Sequence, residues 1–173
     1  MADGSLAVDP TSTEFKVAVL SALRDRVTAD LEAVTESQKK TVEGATHEEA
    51  RPESDKDTRA TESSYLARGL AKRVGELRNA AVKLANFPLR RFGDDDAIGL
   101  GALVVVEDDD GAEERYFIAP AGGGIKLTVS SVAVGVITSE APLALALRGK
   151  RVGDEVELRV GRSQRSLEVV GLG

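Results

Sequence analysis

From Phe15 the apolar positions fall at Leu20, Leu23, Val27, Leu31 and Val34, with Val42 and Ala45 extending the series. Steps of three and four residues keep these side chains on one face of a helix. Arg24, Asp25, Asp30, Glu32, Glu36, Lys39 and Lys40 occupy the other faces. Asp9-Pro10 and Ser12/Thr13 supply start signals. The spacing predicts a helix over about residues 14–45, ~48 Å long at the usual rise per residue. The pattern stops near Gly44, and Pro52 forbids a continuous helix through the break. A second series follows at Leu66, Leu70, Val74, Leu77, Ala81 and Leu84, with Asp57 or Thr58 as its cap and Asn86-Phe87-Pro88 as its stop. Two amphipathic helices of similar length around a short break predict an antiparallel coiled-coil hairpin over residues 13–87, with its tip near 46–58. A long intermolecular coiled coil is the rival, and the proline at the midpoint favours the hairpin.

Beyond a polar connector at 88–97 the period becomes strand-like. Ile98–Val106 and Glu114–Ala119 are strands on either side of the Glu107-Asp108-Asp109-Asp110-Gly111 turn, and Val132–Thr138 is a third. Val156, Leu158 and Val160 alternate along Glu155–Val160, and Leu167 and Val169 return along Ser166–Val170. One short helix interrupts them at Leu143–Leu147, with Pro142 in its first turn and Gly149 just past its end. The expected fold class is α+β. A frayed tail at 1–12 and the helical hairpin precede a small, mostly antiparallel sheet domain over 98–173 with one short helix.

Composition narrows the chemistry. The chain has 173 residues, with no Trp and aromatics at 3%, so its core is aliphatic and unsuited to an aromatic-lined pocket. The absence of cysteine removes disulfides, thiolate metal sites and cysteine nucleophiles, and fits a reducing compartment. The first 13 residues lack a signal-peptide pattern, and no apolar run approaches ~20 residues, so a soluble cytoplasmic protein without membrane contact is expected. The net charge of −6 disfavours direct, sequence-specific capture of DNA, since no dense basic field is present.

The acidic break concentrates the candidate chemistry. Asp55 and Asp57 offer hard oxygen ligands for a metal ion at the end of a long lever, with Glu53 and Glu62 beside them. The plain alternative is a solvated acidic turn with Asp57 as a helix cap. Lys56 and Arg59 suit either phosphate contact or neutralisation of the tip. Tyr65 is expected to pack at the base of the tip, and the single histidine, His47, reads as a surface residue. Gly122-Gly123-Gly124 lacks the Lys-Ser/Thr of a phosphate loop and reads as a turn. Pro142, Leu143 and Leu147 read as core packing or as the border of a partner contact.

The run Val136-Ile137-Thr138-Ser139-Glu140-Ala141-Pro142-Leu143-Ala144-Leu145-Ala146-Leu147-Arg148-Gly149-Lys150-Arg151-Val152-Gly153-Asp154-Glu155-Val156-Glu157-Leu158, with Glu168-Val169-Val170 closing, resembles the C-terminal domain of the bacterial GreA/GreB transcription elongation factors. Ala141 stands where that family usually has Ser. The resemblance implies an FKBP-like C-terminal domain that grips RNA polymerase, with Pro142, Leu143 and Leu147 near the contact. It also implies a hairpin inserted into the secondary channel, where tip carboxylates share a catalytic Mg²⁺ that drives cleavage of backtracked RNA. The factor would then be an accessory to the polymerase active site, without catalytic residues or a bound cofactor of its own, touching nascent RNA only indirectly. The tip of this chain, Ser54-Asp55-Lys56-Asp57-Thr58-Arg59-Ala60-Thr61-Glu62-Ser63-Ser64-Tyr65, differs from the family's Gly-Asp-x-x-Glu-Asn-x-Glu-Tyr. A channel-binding modulator or inhibitor without cleavage is therefore the second reading. A prolyl isomerase and a coiled-coil adaptor are further alternatives, the former opposed by the placement of Tyr116 and Phe117, which are adjacent and so point to opposite faces of a strand.

Overall fold

A computed structural model describes residues 9–48, 56–160 and 163–173. Two long helices open the chain, α1 at Thr13–Glu48 and α2 at Lys56–Ala85. Ser12 starts α1, its hydroxyl accepting the Phe15 N–H at 3.2 Å. Asp9 accepts the Thr11 N–H and hydroxyl at 2.9 and 2.7 Å, which holds its carboxyl below the usual range. The helix runs on through Gly44 to Glu48. At the far end of the pair, Arg24 Nε donates to the Leu84 carbonyl at 2.9 Å and Nη2 to that of Ala85 at 3.3 Å. One guanidinium thus satisfies carbonyls that the end of α2 leaves open, and it fixes the close of α2 beside the early turns of α1, as an antiparallel pair requires.

Six strands follow: β1 Leu103–Asp108, β2 Glu113–Ala119, β3 Lys126–Val129, β4 Val132–Thr138, β5 Glu155–Val160 and β6 Ser163–Leu172, with the short helix α3 at Pro142–Leu147 between β4 and β5. They form one mixed sheet in the order β3-β4-β2-β1-β6-β5. Every pairing is antiparallel except β2 with β4, which runs parallel with Phe117 opposite Val136. The β1–β6 register shifts between Val105 and Val106, a local irregularity that skips Val170.

The residues divide into two compact units. One joins residues 1–24 to 83–173; the other is Asp25–Val82. Residues 88–97 therefore lie inside the sheet-bearing unit. Its sheet is apolar on both sides. Val104, Val106, Ile118, Leu167 and Val169 share a core with Leu143, Ala144 and Leu147 of α3. The alternate residues Leu103, Val105, Phe117, Val134 and Val136 point the other way and are equally buried. The same unit contributes buried Phe15, Val19, Leu20 and Leu23 from the first turns of α1. Leu23 reaches the β2–β3 loop, where a Cβ on Gly122, φ 83°, would stand 2.9 Å from its Cδ1. In the second unit Val27, Val74 and Leu77 are buried, while Leu66 is 56% exposed.

Three expectations need correction. The strand predicted at Ile98–Val106 is β1 at Leu103–Asp108, because Ile98 pairs instead with the segment after α3: its N–H donates to the Lys150 carbonyl and its carbonyl accepts the Gly149 N–H. Strand β3 was absent from the sequence reading. Asp57 and Thr58 lie inside α2, which begins at Lys56, so neither caps it. The pattern located α3 correctly, and Gly149 just beyond it has φ 78°.

β3 and β4 are joined by Ser130 and Ser131 alone, with Val129 opposite Val132. Both serines have positive φ, 48° and 66°, as a type I′ hairpin requires. A side chain in this region is disfavoured by ~1 kcal/mol. Ser131→Gly is expected to raise stability by up to ~1 kcal/mol, read as an increased urea midpoint at unchanged m.

Candidate functional site

The two surfaces singled out from sequence lie in different units. Glu53 and Asp55 fall outside the described residues. Lys56, Asp57, Arg59 and Glu62 belong to the first turns of α2, and Glu62 is solvent-exposed. Tyr65, expected to be packed, is 68% exposed, with the Arg68 guanidinium 5.9 Å from its ring centroid. His47 lies near the end of α1. Among the described residues no cluster of three or more His, Asp or Glu side chains is placed to hold a metal ion.

In α3 the three candidate residues separate. Leu143 and Leu147 point into the core, 8% and 0% exposed, while Pro142 lies on the surface. Leu147→Ala would open a cavity and destabilise the domain by ~2–5 kcal/mol. The apolar side chain that α3 presents to solvent is Leu145, 52% exposed, which the sequence reading passed over. A six-residue helix turns only one side to the sheet, so Leu145, two positions from each buried leucine, is left outside.

An open cleft of about 400 Å³ adjoins the residues that lead into α3. Lys83, Phe87, Pro88, Leu100, Pro120 and Glu140 are among its walls. Leu100 is 47% exposed, so this side of the unit carries an apolar surface bordered by one cation and one anion.

On the sheet, Arg165 of β6 bridges two carboxylates. Its Nη2 lies 3.3 Å from Asp108 Oδ2 and 3.4 Å from Glu114 Oε1. The Tyr116 hydroxyl donates to Glu114 Oε2 at 2.7 Å. Chiefly the Glu114 charge holds the Arg165 guanidinium above its ordinary pKa. Asp108 is held below the usual carboxylate range, chiefly because it accepts the Ala112 N–H that closes the β1–β2 turn. Burial and then the Glu114 hydrogen bond push the Tyr116 phenol up to about 12. Across the parallel pairing Gly135 leaves room for the Tyr116 ring, since a Cβ there would stand 3.0 Å from it. This network ties three strands together and holds no nucleophile or open ligand position. Phe117 is fully buried on the other face, so Tyr116 and Phe117 do not line a common pocket. No helix among the described residues is long and apolar enough to cross a membrane.

Comparison with known proteins identifies the sheet-bearing part. Residues 93–172 match the family of transcription elongation factor GreA/GreB C-terminal domains. The chain is 30% identical to transcription elongation factor GreA of Brucella anthropi over 113 residues, which cover 65% of this chain and 66% of that protein. It is 32% identical to GreA of Rickettsia canadensis over 98 residues, 57% of each. The chain thus spans just under two thirds of the first relative and little over half of the second. Among solved structures, the transcription factor Gfh1 aligns at 22% identity with a TM-score of 0.38, covering 87% of this chain and 93% of that one. Gfh1 of Thermus thermophilus aligns at 20% identity and a TM-score of 0.37, covering 88% and 95%.

The Tyr116 network has a pH signature. A phenol whose pKa is raised in the folded state stabilises the fold below the ordinary tyrosine range, and that contribution is lost as pH climbs towards about 12. Urea denaturation from pH 9 to 11.5 is expected to show the wild type losing stability more steeply than Tyr116→Phe. Parallel curves would mean that the hydroxyl is not protected.

Proposed function

We infer that this chain, which through its C-terminal domain belongs with the GreA/GreB-like transcription elongation factors, acts as an accessory factor of RNA polymerase in the cytoplasm. The observation that carries this reading is the family match over residues 93–172, which takes in the whole sheet and α3. The sheet unit is the gripping module. Its exposed apolar groups, Pro142 and Leu145 on α3 and Leu100 at the cleft, are the side chains that a partner surface would cover. Leu143 and Leu147 support that surface from within.

The helix pair is the reaching module, and its tip enters the polymerase secondary channel. There Asp55 and Asp57 would supply one or two carboxylates to a Mg²⁺ shared with the polymerase, an ion that prefers few protein ligands and keeps water and phosphate for the rest. The bound ion would lower the pKa of a water and orient it for cleavage of backtracked RNA. Glu53 and Glu62 add negative charge near that ion, and Lys56 and Arg59 limit the repulsion between the acids. The factor contributes ligands and position; the reacting atoms belong to the polymerase complex.

A second reading is a channel-binding modulator without cleavage. Its support is the spelling of the tip, where Lys56 separates Asp55 from Asp57 and α2 is already helical at Lys56.

One assay separates the two readings. Purified chain added to a backtracked elongation complex with Mg²⁺ is expected to shorten the RNA, and Asp55→Ala with Asp57→Ala to slow that shortening by about tenfold or more, some 1.4 kcal/mol of barrier. Binding without shortening would select the modulator. An unchanged rate in the double variant would remove the metal role. Leu145→Asp is expected to weaken polymerase binding by about tenfold without altering the thermal midpoint, as for an exposed contact residue at the centre of an interface.

A further inference from the structure

Lys16 is the one charged side chain buried among the described residues, at 1% exposure. Its Nζ donates to the Arg90 carbonyl and sits 4.9 Å from the centroid of the Phe92 ring. The Arg90 guanidinium lies over the same ring at 4.8 Å. Of the loop's carboxylates, Asp96 pairs with Arg90 at 3.4 Å and accepts the Gly93 N–H at 2.9 Å, and none of Asp94, Asp95 and Asp96 forms an ion pair with Lys16. With the Asp96 N–H donating back to the Gly93 carbonyl, residues 90–96 close into a loop. Phe92 packs on the core shared by the sheet and α3. This loop therefore joins the first turns of α1 to that core, in the stretch that connects α2 to β1.

The ring and one carbonyl are poor replacements for the water that an ammonium gives up on burial. Among the described residues no carboxylate pairs with Lys16, and a second cation shares its ring. Burial, and then Arg90, lower the Lys16 pKa to about 8, in line with a charge the site tolerates badly. The packing of Phe92 and the closure by Asp96 hold the loop down, while the ammonium beneath it works the other way.

We propose that residues 90–96 are a releasable strap, kept near its opening point by the unpaired buried charge of Lys16. A connection of this kind is neither a free linker nor a fixed one. It opens locally without unfolding the sheet, and on opening it gives slack to the chain between α2 and β1. The inference stands on the packing of this unit and does not depend on a polymerase partner.

Trypsin reports the opening directly, because the strap carries Arg90 and Arg91. Under native conditions Lys16→Met, which keeps the apolar stem and removes the charge, is expected to slow nicking at Arg90 and Arg91 by about fivefold or more, and Phe92→Ala to accelerate it. Equal or faster nicking in Lys16→Met would overturn the proposal, since the charge would then be holding the strap in place. A second measurement separates local from global effects. The chain has no Trp, so Phe92→Trp introduces a single indole as a reporter. Acrylamide should quench that indole more strongly with Lys16 present than in the double variant with Lys16→Met, at temperatures well below the melting of either. Identical quenching would also overturn the proposal.

Discussion

Strand β1 sets the terms for the whole sheet-bearing unit. Leu103, Val104, Val105 and Val106 are all buried, so a central strand points apolar side chains in both directions. Such a strand is stable only when both faces of its sheet are covered. α3 covers one face with Leu143, Ala144 and Leu147. The other face has no local helix of its own, and the same unit supplies Phe15, Val19, Leu20 and Leu23 from the start of the chain. The consequence is topological. The described residues up to Arg24 and those from Lys83 onward form one compact body, and the stretch Asp25–Val82 interrupts it in sequence.

That arrangement also decides which surfaces stay open for a partner. The short α3 buries two leucines and leaves Leu145 outside, and the residues leading into it border the cleft that contains Leu100 and Glu140. Four charged or titratable groups on the sheet, Asp108, Glu114, Tyr116 and Arg165, are occupied with one another. Arg165 bridges Asp108 and Glu114, and Glu114 accepts a hydrogen bond from the Tyr116 hydroxyl, so these groups tie the strands together. Among the described residues of this unit, Leu145 on α3 and Leu100 at the cleft are exposed apolar side chains outside the tied strands.

Much of this could be read from the sequence. The three- and four-residue steps in α1 and α2 locate both helices, and Pro142 and Gly149 bracket α3, because caps and breakers act locally. β5 was legible from its alternation. β3 was not: Lys126–Val129 is four residues long, and its hairpin turns on Ser130-Ser131, which lacks the Asn-Gly or Asp-Gly signal of that turn type. The start of β1 was obscured for a different reason, since a strand buried on both faces loses the period of two that would mark its edge. The Arg165 network joins residues 51 and 57 positions apart, beyond any local pattern. Lys16 is placed like any lysine on a helix, and its contacts with the Arg90 carbonyl and the Phe92 ring come from far along the chain. Leu145 could have been found by placing Pro142–Leu147 on a helical wheel. At the tip, the sequence remains the source for Glu53 and Asp55, which lie outside the described residues.

If this chain, GreA/GreB-like over its sheet and α3, acts as proposed, it occupies the same site on RNA polymerase as a GreA protein. A competition titration decides the point. Fluorescently labelled chain is bound to core RNA polymerase and followed by anisotropy while unlabelled GreA is added. Saturable binding that GreA displaces completely is expected. No binding to core polymerase, or binding that GreA leaves untouched, would contradict the proposed function.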